Sequence, residues 1–176
     1  MIECGVARTT TLEVQQRAGV SRGTLLHHFP TRAEMLSATI REIALLNEKT
    51  LWQEAARTPR DNDDGLAHAI RTLASALSHP SYLAELELWA AARADAQLRT
   101  ALRDAEREVL AEREKVLREL FVSVSDRPGY PVVLALSIEL SRGLAVSDIL
   151  RSHPSHRARM IDQWIGAARM LIDQPA

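Results

Sequence analysis

Apolar residues along this chain recur mostly at the three- and four-residue spacing of a helix, and alternating runs of strand formers are almost absent. Thr10, with Glu13 three positions later, has the form of a capping box, and Gly19 supplies a stop, so a short helix is predicted over Thr10–Ala18. Val20-Ser21 reads as a turn. Ser21 then caps a second short helix, Arg22 to His28, which ends at Phe29-Pro30 because the residue before a proline resists helical geometry. Thr31 and Glu34 repeat the capping pattern and open a long helix reaching Arg57, with Leu36, Ile40 and Ile43 as its apolar stripe. Asn47 falls where the next apolar residue is due, so the stripe is expected to shift to Leu46.

Thr58–Gly65 is a polar, turn-rich linker. Helices are predicted over Leu66–Leu77, Tyr82–Ala96 and Leu98–Val122, with breaks at His79-Pro80 and Ser125–Gly129. Two more follow, Tyr130–Leu150 and His156–Asp173, around a turn at Ser152–Ser155. The expected fold class is therefore all-α. From Val132 to Ile149 the charges are Glu139, Arg142 and, near the end, Asp148. A helix so apolar needs cover on nearly every face, and a second copy of the last two helices would provide it as a four-helix dimer interface. Leu136, Leu140, Leu144, Ile161, Trp164 and Leu171 are the candidate interface residues.

Composition narrows the function classes. In 176 residues, 46% hydrophobic and 26% charged residues suit a packed core rather than disorder. The net charge of −1 excludes nucleic-acid binding over the whole surface, so any such contact must be local. Residues 1–32 offer the locality: Arg8, Arg17, Arg22 and Arg32 against Glu3 and Glu13, with His27 and His28. Cys4 is alone, which precludes an intrachain disulfide and suits a reducing cytoplasm. No signal-peptide pattern opens the chain, and no apolar run approaches the roughly 18 residues of a membrane span, so a cytoplasmic protein away from membranes is expected. A Gly-rich phosphate loop and a Glu-x-x-His pair are both missing from the sequence. Neither catalysis, nor a metal, nor a cofactor is expected. Tyr82, Leu86 and Trp89 are candidates to line a ligand pocket between helices.

The strongest local signal is Thr10–Phe29. Two short helices joined through Ala-Gly-Val-Ser fit a helix-turn-helix, with Gly19 tolerating the positive φ of the bend. Val14, Ala18, Val20 and Leu25 sit where the two helices must pack, and the second helix then presents Arg22, Gly23, Thr24, His27 and His28 outward. Such a helix fits the DNA major groove.

The residues Thr10-Thr11, Ala18-Gly-Val-Ser-Arg-Gly-Thr-Leu25, His27-His-Phe-Pro30 and Thr31-Arg-Ala-Glu-Met-Leu36 closely resemble the DNA-binding segment of TetR-family regulators. A looser likeness to the family's sensor domain continues over Leu86–Asp95 and Leu98–Leu102. The resemblance implies a DNA-binding domain over residues 1–46, with its motif at about 10–29, and a ligand-sensing and dimerising domain over 47–176. It implies a homodimer that reads a pseudo-palindrome in double-stranded DNA and a small-molecule effector that releases it, usually a repressor. It assigns DNA contacts to Thr10, Thr11, Ser21, Arg22, Gly23, Thr24, His27, His28 and Arg32, and a core position to Phe29. Three departures stand out. Only Met1–Thr9 precede the threonine pair where the family has a full first helix, so that helix is expected to be largely missing. Leu26 replaces an aromatic residue, usually tyrosine, and Gln15 a small one, usually alanine. These departures point to an alternative, a helical dimer that binds a ligand or partner but has lost DNA binding through N-terminal truncation.

Overall fold

The structure, a computed structural model, describes residues 1–3, 5–59, 64–151 and 153–174. Cys4, the middle of the expected linker at residues 60–63, and Ser152 of the last expected turn lie outside the described residues. Among the described residues there are eight helices and no strand: α1 Thr11–Ala18, α2 Arg22–His28, α3 Arg32–Arg57, α4 Gly65–Ala76, α5 Pro80–Ala92, α6 Ala96–Leu120, α7 Tyr130–Asp148 and α8 Pro154–Leu171. The all-α expectation holds. Boundaries move where prolines are read as breaks: Pro80 and Pro154 are the first residues of α5 and α8, because proline's fixed φ suits a first turn and its missing N–H has no helical partner to lose there.

The chain forms two compact units, one of residues 1–47 and 80–112, the other of 48–79 and 113–176. In the first, Leu36, Ile40 and Ile43 of α3 meet Leu88 and Ala92 of α5 and Leu98 and Leu102 of α6, with Val6 and Ala33 completing the core. The expected shift of the α3 stripe does not occur. Leu46 stays 40% exposed while Asn47 is 4% exposed and keeps the inward position. Its amide nitrogen donates to the buried carboxylate of Glu85 at 2.8 Å. An apolar residue at 47 would leave that carboxylate without this donor, which costs more than burying an amide whose nitrogen is hydrogen-bonded and whose oxygen has no partner among the described residues.

In the second unit α4 packs on α7 and α8, and α7 packs on α8. The side of α7 that faces its own chain holds Val133, Ser137, Ser141, Leu144 and Ala145, while Val132, Leu136 and Val146 stay exposed. Ser137 donates to the Val133 carbonyl and accepts from Trp164 Nε1 at 2.8 Å, so its burial is hydrogen-bonded. The sequence expectation that nothing reaches membrane length needs correction: α7, 19 residues at mean hydropathy 1.2, is long and apolar enough by length and composition. Asp148 falls at its very end, so two mid-helix charges are all that interrupts it. Those two, Glu139 and Arg142, pair at 2.8 Å, and its serine-bearing side is buried against protein.

Thr72 Oγ1 is fully buried and has no hydrogen-bond partner among the described residues. Thr72→Val keeps the branched shape and removes the unpaired hydroxyl. It is expected to stabilise the fold by about 1 kcal/mol, a rise in Tm of roughly 2–4 °C in calorimetry. A fall in Tm would show that the hydroxyl has a partner.

Asp64 caps α4 by accepting from the Ala67 N–H at 2.9 Å, and Arg169 adds a second ion-pairing donor. These interactions hold its carboxyl below the ordinary carboxylate value, the backbone hydrogen bond being the larger cause. The stabilisation is therefore complete above the unfolded value of about 3.9 and is lost as pH falls through the lower folded value. Asp64→Asn keeps a capping oxygen but cannot titrate. Its stability between pH 5 and 2 should fall less steeply than the parent's in urea titrations, and equal slopes would refute the assignment.

Candidate nucleic-acid interface

The first two helices are built by caps. Thr10 Oγ1 accepts from Glu13 N–H at 3.2 Å, opening α1. Gly19 closes it at φ 66°, in the left-handed region that glycine enters without steric cost. Its N–H and that of Val20 then bond back to the α1 carbonyls of Gln16 and Gln15. Ser21 caps α2 by accepting from Thr24 N–H at 3.1 Å. The bend is therefore fixed at both ends by local hydrogen bonds, and α2 leaves it in a defined direction.

Of the four residues expected to pack the two helices, Leu25 is buried, Val14 and Val20 are half-buried and Ala18 is exposed. Arg22, Gly23, Thr24, His27 and His28 are all exposed, as are Ser21 and Thr10, and Thr11 is half-buried. The two histidine rings meet edge-on with centroids 5.4 Å apart, and His28 also meets Phe29 at 6.4 Å. Phe29 is half-buried.

The arginines separate by partner. Arg17 is tied to Glu13 at 2.6 Å and to Glu3 at 2.8 Å. The Glu13 hydrogen bond, then that of Glu3, raises its pKa further, so its charge is fixed and locally neutralised. Arg32 donates to two backbone carbonyls, Val6 at 2.9 Å and Thr9 at 3.3 Å. It ties the segment before α1 to the start of α3, and only its remaining donors can reach outward. Arg22 has no hydrogen-bond or ion-pair partner among the described residues. A free guanidinium on the first turn of an exposed helix can take a guanine edge bidentately or a phosphate.

The candidate pocket trio divides. Tyr82, Leu86 and Trp89 are all half-buried, but Trp89 alone of the three borders the groove formed with α6. Of the candidate interface residues, Leu136 is 45% exposed, whereas Leu144 and Ile161 are 8% and 6% exposed within their own chain. Leu140, Trp164 and Leu171 are half-buried. Sequence reasoning missed the outward Val132 and Val146, which share the exposed side of α7 with Leu136. The buried Glu85–Asn47 pair was missed too, although the polar break in the α3 stripe marked its place.

Comparison with known proteins agrees with this geometry. Residues 1–44 match the family model for bacterial regulatory proteins of the tetR family. The chain is 29% identical over 147 residues to an uncharacterized HTH-type transcriptional regulator of Mycobacterium bovis, covering 83% of this chain and 75% of the relative. A regulator of Mycobacterium tuberculosis matches to the same extent. The HTH-type transcriptional regulator CymR of Pseudomonas putida is 29% identical over 170 residues, 95% of this chain and 82% of the relative. No solved structure matches significantly.

Proposed function

We propose that this chain, a TetR-family helix-turn-helix transcriptional regulator, acts in the cytoplasm as a homodimeric repressor that a small molecule releases from a pseudo-palindromic operator. Residues 1–46 are its reading domain and 47–176 its sensing and dimerising domain. The observation that carries the reading is α2: capped by Ser21, aimed by Gly19, and exposing Arg22, Gly23, Thr24, His27 and His28. Two copies related by a two-fold axis would set their recognition helices about one DNA turn apart, roughly 34–36 Å. Thr10, Thr11 and the free donors of Arg32 would meet backbone phosphates that fix the register. An effector that binds better to a conformer with another spacing would release the DNA by population shift.

The test is fluorescence anisotropy with the DNA upstream of the protein's own gene, at several salt concentrations. A pseudo-palindromic site should bind with an affinity that falls log-linearly with salt. Absence of salt-sensitive binding would favour the second reading, a helical dimer that binds a ligand or partner without reading DNA. One observation speaks for that reading: α1 has no buried residue, and its Leu12 is 59% exposed.

The dimer is supported by the outward side of α7. Ser137 and Ser141 face its own chain and Val132, Leu136 and Val146 face outward, which leaves an apolar strip beside Gly143, where a Cβ would meet nothing within 4 Å. Leu136→Glu puts a charge in that strip at little cost to the folded chain. Expected is a monomer by sedimentation at micromolar concentration, with an unchanged circular dichroism spectrum and loss of cooperative operator binding. A variant that still sediments as a dimer would place the interface elsewhere.

A further inference from the structure

The end of α5 and the first half of α6 enclose an open groove of about 510 Å³ that the DNA-reading surface does not use. Its floor is carbon: Trp89, Ala92 and Leu102. Its rim is basic because α6 repeats arginine at 99, 103 and 107, four residues apart and so on one helix face, while Arg93 closes the other side. Glu106 is the one acid on the wall, and it accepts from Trp89 Nε1 at 3.1 Å, which orients the indole.

The four guanidiniums are not equivalent. Arg107 pairs with Asp104 at 2.7 Å. Arg99 donates to the Ala92 carbonyl at 3.1 Å, closing the end of α5. Arg93 and Arg103 are exposed, and their guanidiniums have no hydrogen-bond or ion-pair partner among the described residues. Two uncommitted planar donors therefore stand over an apolar floor. A simple inorganic ion would satisfy the donors and ignore the floor; a neutral hydrocarbon would do the reverse. The volume lies within the range of small-molecule sites, roughly 300–1,000 Å³.

We propose that this groove binds an organic carboxylate with a flat apolar body: the carboxylate is held by Arg93 and Arg103, and the body lies on Trp89, Ala92 and Leu102. Guanidinium matches carboxylate in plane and charge, and removal of the apolar body from water adds affinity that the charges alone lack. The proposal does not require that the chain read DNA, or that this ligand release it.

Two-dimensional NMR of the tryptophan indole N–H signals of the full chain tests it, with naphthalene-1-carboxylate as the probe. The three tryptophans give one signal each, and Trp89→Phe identifies the one that matters. The carboxylate should shift the Trp89 signal saturably while those of Trp52 and Trp164 stay in place. Naphthalen-1-ylmethanol, of the same body without the charge, should bind at least tenfold more weakly. Arg93→Ala with Arg103→Ala should lower the affinity for the acid at least tenfold with an unchanged melting temperature; both side chains are exposed, so the variant should fold. Equal binding of acid and alcohol, or undiminished binding by the double variant, overturns the proposal. So does displacement by equimolar acetate or phosphate, which would make this a simple anion site. If the double variant loses DNA affinity and the acid never binds, the arginines are phosphate contacts and the proposal is wrong.

Discussion

A homodimer with Arg22→Ala in both reading heads is expected to bind its operator roughly 30- to 20,000-fold more weakly, since one bidentate base contact is worth about 1–3 kcal/mol and the dimer has two. Arg22 earns this weight by its freedom. It stands on the first turn of α2, fully displayed, with no partner among the described residues. Arg17, only five positions away, makes the informative control. Glu3 and Glu13 already neutralise it, so Arg17→Ala should change DNA affinity little and stability hardly at all, because exposed ion pairs are screened by solvent. Arg22→Lys separates the two roles open to the guanidinium. If it meets phosphate, lysine preserves the salt dependence and most of the affinity. If it reads a base edge, lysine relaxes sequence preference, because a point charge lacks the planar fork. If Arg22→Ala binds the operator as well as the parent does, α2 is not the recognition helix.

Gly129→Ala should be the most damaging change in the unit of residues 48–79 and 113–176. Gly129 precedes α7 and donates its N–H to the Ile172 carbonyl at 2.9 Å, just past the end of α8. A Cβ there would lie 2.0 Å from the Leu171 carbonyl oxygen and 2.9 Å from the Ile172 carbonyl carbon. Both are backbone, so no side-chain rotation relieves the clash, and the start of α7 must part from the end of α8. The expected loss is about 3 kcal/mol, near the upper end of overpacking costs, and a Tm lower by roughly 6–12 °C. Gly166→Ala is the matched control. Gly166 lies inside α8, and a Cβ added to it would meet nothing within 4 Å, so alanine should be neutral or stabilising by up to about 1 kcal/mol. Equal melting of the two variants would show that the α7–α8 junction is loose.

What the chain itself determined is what short-range chemistry controls. Thr10, Gly19, Ser21 and Thr31 act on residues at most five positions away, through caps and one left-handed bend, and these place α1, α2 and the start of α3 where the residue order implies. The exposed face of α2, the candidate reading surface, was legible for the same reason: only Leu25 of α2 must turn inward, so the rest of the helix is exposed, Leu26 included at 38%. Tertiary structure alone decided which face of a helix turns inward when periodicity allows more than one. On α3, Asn47 went inside because Glu85, 38 positions away, needed its donor, and Leu46 was left in solvent. On α7, Ser137 faced the chain's own core and Leu136 faced out, since Trp164 and a backbone carbonyl could satisfy Ser137 there. Arg32, still exposed, spends two of its donors on the carbonyls of Val6 and Thr9, partners more than twenty positions away. The partner that lets a polar group be buried has no fixed spacing along the chain, so periodicity alone does not place it.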